Sequence, residues 1–274
     1  MEKRFFGDVK TRYPNICIQI KIENVMLFSL LVFGPMIVRQ YDSQNSLLNL
    51  YDFDLEEHII SVNDWTNNTA ITKFVNHIYD DGNNKPDSLL INGKGAYYVF
   101  NQVNGTSHQT SRAQFKVQQG FRYRIRVINA GFLYCPIQIS IDNHNLTIIA
   151  TDGNLVNPVT IQNFVIYAGK DFFVKNSKKI KEDFINFSLG ERYDFVLNAN
   201  QSMGNYLIRA KGLADCSVNS VFETAVLSYT DANGAFETIN NQMFSNLSYS
   251  NLIPIGLVNI KFKLATRCIL FYLN

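Results

Sequence analysis

Histidine is scarce in this 274-residue chain: His58, His77, His108 and His144 are all there are. None pairs with another as HxH, HxxH or HxxxH. A metal site carried on a strand needs ligands at i and i+2, because alternate side chains share a face, so no such pair is encoded. Cysteine is as sparse, with Cys17, Cys135, Cys216 and Cys268 scattered and no CxxC pair. That excludes a disulfide-dense scaffold, and no cysteine stands beside a histidine as part of a mixed thiolate–imidazole set. An excess of one charge is missing too: 25 Lys and Arg against 23 Asp and Glu leave a net +2. A dedicated nucleic-acid binder shows a concentrated basic face, and no nucleic-acid partner is expected here. There is no GxSxG nucleophile elbow. Gly93-Lys94-Gly95 lacks the spacing of a phosphate-binding loop and reads as a tight turn.

Long apolar runs are also absent. The run at 25–33 is too short to span a bilayer, so no membrane partner is expected. It begins after a mixed polar segment, later than a signal peptide would place it. With Met26 as initiator it would serve as an h-region; a buried strand is the reading adopted.

What the chain does contain is sheet material. Hydrophobic residues make up 46% and aromatics 13%, including 21 Phe and 14 Tyr. The clearest pattern is Phe121-Arg122-Tyr123-Arg124-Ile125-Arg126-Val127-Ile128, which alternates with period two. Such a strand sinks Tyr123, Ile125 and Val127 into a core and turns its arginines outward. Strand-like runs follow at 137–141, 146–150, 193–197, 206–210 and 225–229, after an earlier one at 59–65. Turn chemistry separates them at Asp142-Asn143, Asp152-Gly153-Asn154, Asn198-Ala199-Asn200 and Met203-Gly204-Asn205. Residues 41–57 are polar and acidic and read as a linker. The spacing predicts an all-β antiparallel sandwich or barrel.

Three features remain as candidates. Asp152 ends the apolar run 146–150 at a loop, where sandwiches commonly bind ligands; the alternative is that it caps its own turn. The lysines at 170, 175, 178, 179 and 181 read as a solvated loop, with an anion patch as the minority view. Asn67, Asn104, Asn145, Asn186, Asn200 and Asn246 begin Asn-x-Ser/Thr triplets, acceptors for N-glycosylation in a secreted protein.

Several stretches together resemble the second cupredoxin domain of laccase-type multicopper oxidases. They are Pro86-Asp87-Ser88-Leu89-Leu90-Ile91-Asn92-Gly93-Lys94-Gly95, the strand 123–129, Ile141-Asp142-Asn143-His144-Asn145-Leu146 running on to Thr151-Asp152-Gly153, Gly190-Glu191-Arg192-Tyr193-Asp194-Phe195 and Gly204-Asn205-Tyr206-Leu207-Ile208-Arg209. Asn92-Gly93-Lys94-Gly95 and Gly212-Leu213-Ala214-Asp215-Cys216 resemble the arthropod members. Phe33-Gly34-Pro35-Met36-Ile37-Val38-Arg39-Gln40 looks like the last strand of the preceding domain. The resemblance divides the chain into an unassigned head (1–32), the end of domain one with a linker (33–57), a Greek-key cupredoxin-like domain two (58–232) with an insertion at 170–189, and an unassigned tail (233–274).

That family couples oxidation of phenols to reduction of dioxygen, using copper held by its first and third cupredoxin domains. The resemblance implies that the middle domain binds no copper, bridges its neighbours and lends a wall to the substrate pocket. It places Asp152 on or near the acidic residue that contacts the phenol, and it gives His144 no copper. It also implies an extracellular protein. A Cys135–Cys216 disulfide fits within the domain, although connectivity is not readable from sequence. The histidine motifs of the outer domains are absent, so the expectation is a laccase-like segment that holds no copper and is inactive by itself. The alternative is a non-catalytic cupredoxin-like binding or structural domain.

Overall fold

Strand β4 (Arg122–Asn129) shows how the sequence builds the sandwich. Tyr123, Ile125 and Val127 are buried on one face, and antiparallel pairing sets them beside Leu197, Phe195 and Tyr193 of β9 (Arg192–Asn198). Cross-strand apolar pairs of this kind are the unit of sheet stabilisation. In the computed structural model, the described residues are 45–66, 85–95, 111–131, 135–167, 191–217 and 220–231, with isolated positions at 35, 37, 39, 234, 239 and 247. The sequence-predicted strand at 25–33 and the lysine-rich 170–189 lie outside them.

The remaining strands are β1 (Ile59–Trp65), β2 (Ser88–Ile91), β3 (Gln114–Gln118), β5 (Ile137–Ile141), β6 (Leu146–Thr151), β7 (Asn154–Ile161), β8 (Asn163–Ile166), β10 (Asn205–Gly212) and β11 (Phe222–Thr230). One sheet runs β2-β1-β4-β9-β6-β7 and the other β3-β11-β10-β5-β8. Most neighbours are antiparallel, as expected. Two pairs, β1 with β4 and β3 with β11, are parallel, which a pure hairpin succession does not produce. The inner faces share one core containing Ile60, Phe115, Ile125, Ile139, Ile148, Phe195, Ile208 and Leu227. Cys135 and Cys216 are joined across a sequence separation of 81. Closing a loop of that span removes on the order of 4 kcal/mol of unfolded-chain entropy.

The tight turn expected around Gly93 is present. Asn92 and Gly93 both have positive φ, 51° and 72°, and the turn is closed by Ile91 and Lys94. An Asn-Gly pair suits such a turn because both positions need left-handed backbone. Asn92 does more than turn: its side chain accepts from Ser61 N–H at 2.7 Å and donates to the Ile59 carbonyl at 2.8 Å. Gly95 is required for a different reason. A Cβ there would lie 2.5 Å from Glu223 Oε2 and 2.9 Å from the Leu89 carbonyl.

The arginines of β4 point to the outer face, where carboxylates meet them and only Arg122 keeps substantial exposure. The acidic segment read as a linker is docked over them. Its Phe53 lies parallel to Tyr123, stacks on that ring at 5.2 Å and meets Phe121 edge-on at 5.3 Å. Tyr51 packs with Ile149 and Val196 into a second small core on the outer face. Asp52 pairs with Arg122 at 2.7 Å. Asp54 takes both terminal nitrogens of Arg126 and also Arg39 at 3.1 Å. Arg124 is paired with Asp194 of β9. Burial pushes the Asp54 carboxyl up, but the hydrogen bond and charge of Arg126, with Arg124 and Arg39 behind it, outweigh that and hold it below the ordinary range.

Removing a carboxylate from a buried pair leaves its arginine uncompensated, whereas an exposed pair contributes little. The Arg126 side chain is 9% exposed and that of Arg122 41%. Chemical denaturation should therefore show Asp54→Ala destabilised by about 3 kcal/mol and Asp52→Ala by less than about 1 kcal/mol. Equal losses would mean that burial does not set the strength of this ladder.

Candidate functional site

Asp152 stands at the tip of the β6–β7 hairpin. Asp152 and Gly153 have φ of 49° and 79°, with Thr151 and Asn154 paired on either side. This is again a two-residue turn that needs left-handed backbone twice, which Asp-Gly supplies. The conformation fixes where the carboxylate goes. Asp152 N–H donates to the Arg192 carbonyl at 2.8 Å. Its Oδ1 accepts from Arg192 N–H at 3.0 Å and lies 3.5 Å from the Arg192 guanidinium. The residue is 8% exposed. Its carboxylate reaches across to the start of β9, stitching hairpin to strand.

Glu191 precedes that strand and was not singled out from sequence. Its Oε2 accepts from Tyr167 N–H at 2.9 Å, and its own backbone joins it to Tyr167 and Asn129. Burial, reinforced by the charge of Asp152, pushes its carboxyl up to about 7 despite the Tyr167 hydrogen bond. Burial likewise raises the phenol of Tyr193, with Glu191 and Asp152 adding to the effect. Tyr167, at 40% exposed, closes the group. Asp152, Glu191, Tyr167, Arg192 and Tyr193 thus collect two carboxylates, two phenols and a guanidinium at one end of the sandwich. Glu191 was hidden because nothing local marks it; only the β6–β9 register, Thr151 beside Tyr193, brings it to Asp152.

The histidines are placed otherwise. His58 is buried, its Nε2 donates to the Lys116 carbonyl at 2.8 Å, and Tyr123 packs edge-on at 4.9 Å. His144 bonds through both ring nitrogens, to the Asp142 carbonyl and to Tyr229. Burial lowers the pKa of both imidazoles. His77 and His108 lie outside the described residues. Among the described residues no three His, Cys, Asp or Glu side chains gather as a metal site, and no helix is long and apolar enough to cross a membrane. Asn145 and Asn200 are exposed; Asn67, Asn104, Asn186 and Asn246 are outside the described residues.

Two facing sheets with these connections define a cupredoxin-like β-sandwich. The sequence model of the family described as multicopper oxidase matches residues 56–175 and 171–232, and the chain belongs to that family. Laccase-4 of Trametes villosa is 33% identical over 226 residues, which is 81% of this chain and 36% of that protein. Laccase-1 of Pleurotus ostreatus is 31% identical over 225 residues, 81% of this chain and 35% of that protein. The chain thus spans about a third of the length of these fungal relatives. Among solved structures, the laccase from Botrytis aclada superposes with a TM-score of 0.50 at 21% identity, over 76% of this chain and 34% of that one.

Two outcomes follow from the site. Asp152→Asn keeps an acceptor and tolerates left-handed backbone, so its urea midpoint should stay near that of the parent. Asp152→Ala loses the bond to Arg192 and strains the turn, and should cost about 2 kcal/mol; identical midpoints for both would refute the stitch. For Glu191 the folded pKa is raised, so its contribution is present below the unfolded value, 4.5, and is lost as pH rises through about 7. His58 and His144, lowered in the fold, bias stability the opposite way as pH falls below 6.5. The difference in stability between the parent chain and Glu191→Gln, followed from pH 4.5 to 7, isolates the glutamate. The parent should lose ground to the variant as pH rises, and a flat difference would show that Glu191 titrates normally.

Proposed function

We propose that this chain is the middle cupredoxin-like domain of a laccase-type multicopper oxidase, forming one wall of a phenol pocket and holding no copper itself. Asp152 carries the reading. It sits on a built hairpin, inside the region that matches the family, and presents a carboxylate able to accept a phenolic hydrogen bond and proton. Tyr167 and Glu191 flank it. The Glu191 carboxyl, pushed up to about 7, can hold a proton beside Asp152.

The family's copper has no home among the described residues. Both ring nitrogens of His144 are engaged; His58 keeps Nδ1 without a hydrogen bond, but no group of three His, Cys, Asp or Glu forms around it among the described residues, and no step is assigned to copper on this chain. The flanking cupredoxin domains that the family supplies would bring both the metal and the rest of the pocket. Secretion is supported by the Cys135–Cys216 bond, which persists in oxidising compartments, and by the exposed acceptors Asn145 and Asn200.

Copper analysis tests this directly. The purified chain, incubated with cupric and cuprous ions and then dialysed, should retain far less than one copper per molecule and show no blue copper–thiolate band. Stoichiometric copper with that band would overturn the reading. In the longer oxidase, Asp152→Asn should raise KM for phenols more than for a non-phenolic electron donor.

A further inference from the structure

His144 and Tyr229 lie together in the interior, 5% and 0% exposed, and the proposed function uses neither. Nδ1 of His144 is 2.6 Å from the Asp142 carbonyl. A carbonyl only accepts, so in the neutral ring Nδ1 carries the hydrogen and Nε2 presents a lone pair. The Tyr229 hydroxyl is 2.6 Å from that lone pair and must donate to it, while its oxygen accepts the Gln201 N–H at 3.3 Å. The ring of Tyr206 touches both, 5.0 Å from His144 and 5.2 Å from Tyr229. Its hydroxyl donates to the Ser202 carbonyl at 2.8 Å, at an exposed turn.

We propose that Tyr229 is a redox-active tyrosine whose phenolic proton passes to Nε2 of His144 when a one-electron oxidant of the high-potential metal-complex class removes an electron. The phenolic O–H bond breaks, an N–H bond forms, and the products are a neutral phenoxyl radical and an imidazolium. The electron leaves by way of Tyr206, whose hydroxyl reaches the surface, because the oxidant cannot touch Tyr229. On reduction the electron returns and the proton moves back to the phenol. Losing an electron makes the phenol a far stronger acid, so without an acceptor its proton would have nowhere to go. The acceptor is already within hydrogen-bond reach, the geometry that proton transfer requires. Burial disfavours the imidazolium; the carbonyl and the negative charge of Asp142 act the other way, and Asp142 is itself bound by Arg209 at 2.6 and 2.7 Å. Tyr206 and Tyr123 face the phenol of Tyr229.

The test is oxidation of the 274-residue chain with hexachloroiridate, freezing, and high-field electron paramagnetic resonance. The expected result is a tyrosyl signal carrying the shift of a strongly hydrogen-bonded phenoxyl, lost in Tyr229→Phe. Tyr206→Phe should slow its formation without abolishing it, and His144→Phe should remove the hydrogen-bond shift. A signal unchanged in Tyr229→Phe, or no radical in the parent chain, would overturn the proposal. Should Tyr229→Phe fail to fold, the parent chain decides alone: slower radical formation in D2O with the hydrogen-bond shift supports it, and a radical lacking both overturns it.

Discussion

The docking of residues 51–54 onto β4 is the interaction on which the outer face of the first sheet depends. Three arginines on alternate positions of a central strand make a row of positive charge, and a sheet face of that kind cannot be left in a low-dielectric environment unpaired. The chain answers with Asp52, Asp54 and Asp194, the first two from a segment about 70 residues earlier in sequence than their partners. Because the same segment runs on through the turn Glu56–His58 into β1, the ion pairs also fix the entry of β1 beside β4. Electrostatic pairing and strand register are thus one constraint. A buried ion pair is weak evidence of net stability, but it discriminates strongly against arrangements that leave its members apart.

The legibility of the fold from sequence divides along the sheets. The seven runs with clear periodicity are the seven interior strands, β1, β4, β5, β6, β9, β10 and β11. The four strands absent from that series, β2, β3, β7 and β8, are the four sheet edges among the described residues. An interior strand has neighbours on both sides and needs apolar residues for packing. An edge strand has one neighbour and tolerates what a central strand cannot. β7 shows the extreme: Asn154, Asn157 and Pro158 interrupt its pattern and much of it is exposed. Proline is accepted there because an edge need not donate every ladder bond.

The site was legible to the same partial degree. Asp152 announces itself by standing before glycine at the end of an apolar run. Glu191 and Tyr193 do not, since their partnership with Asp152 exists only through pairing of β6 with β9 across some forty residues. The contacts of residues 51–54, in the segment read as a linker, were hidden for a related reason. Acidic residues without periodicity look solvated until the arginines they meet are placed, and those arginines look solvated for the same reason. Each half of a charge ladder conceals the purpose of the other.

The bond between Cys135 and Cys216 also determines how the molecule responds to backbone scission. It encloses β5, the β6–β7 hairpin, β8, β9 and β10 in one covalent ring. A proteolytic cut anywhere within that ring opens it without releasing a piece, so both halves stay on one molecule and their sheet partners remain within reach. Damage of this kind adds only the mass of one water until the sulfurs are reduced, and the Asp152 hairpin can outlast a break in the chain that carries it.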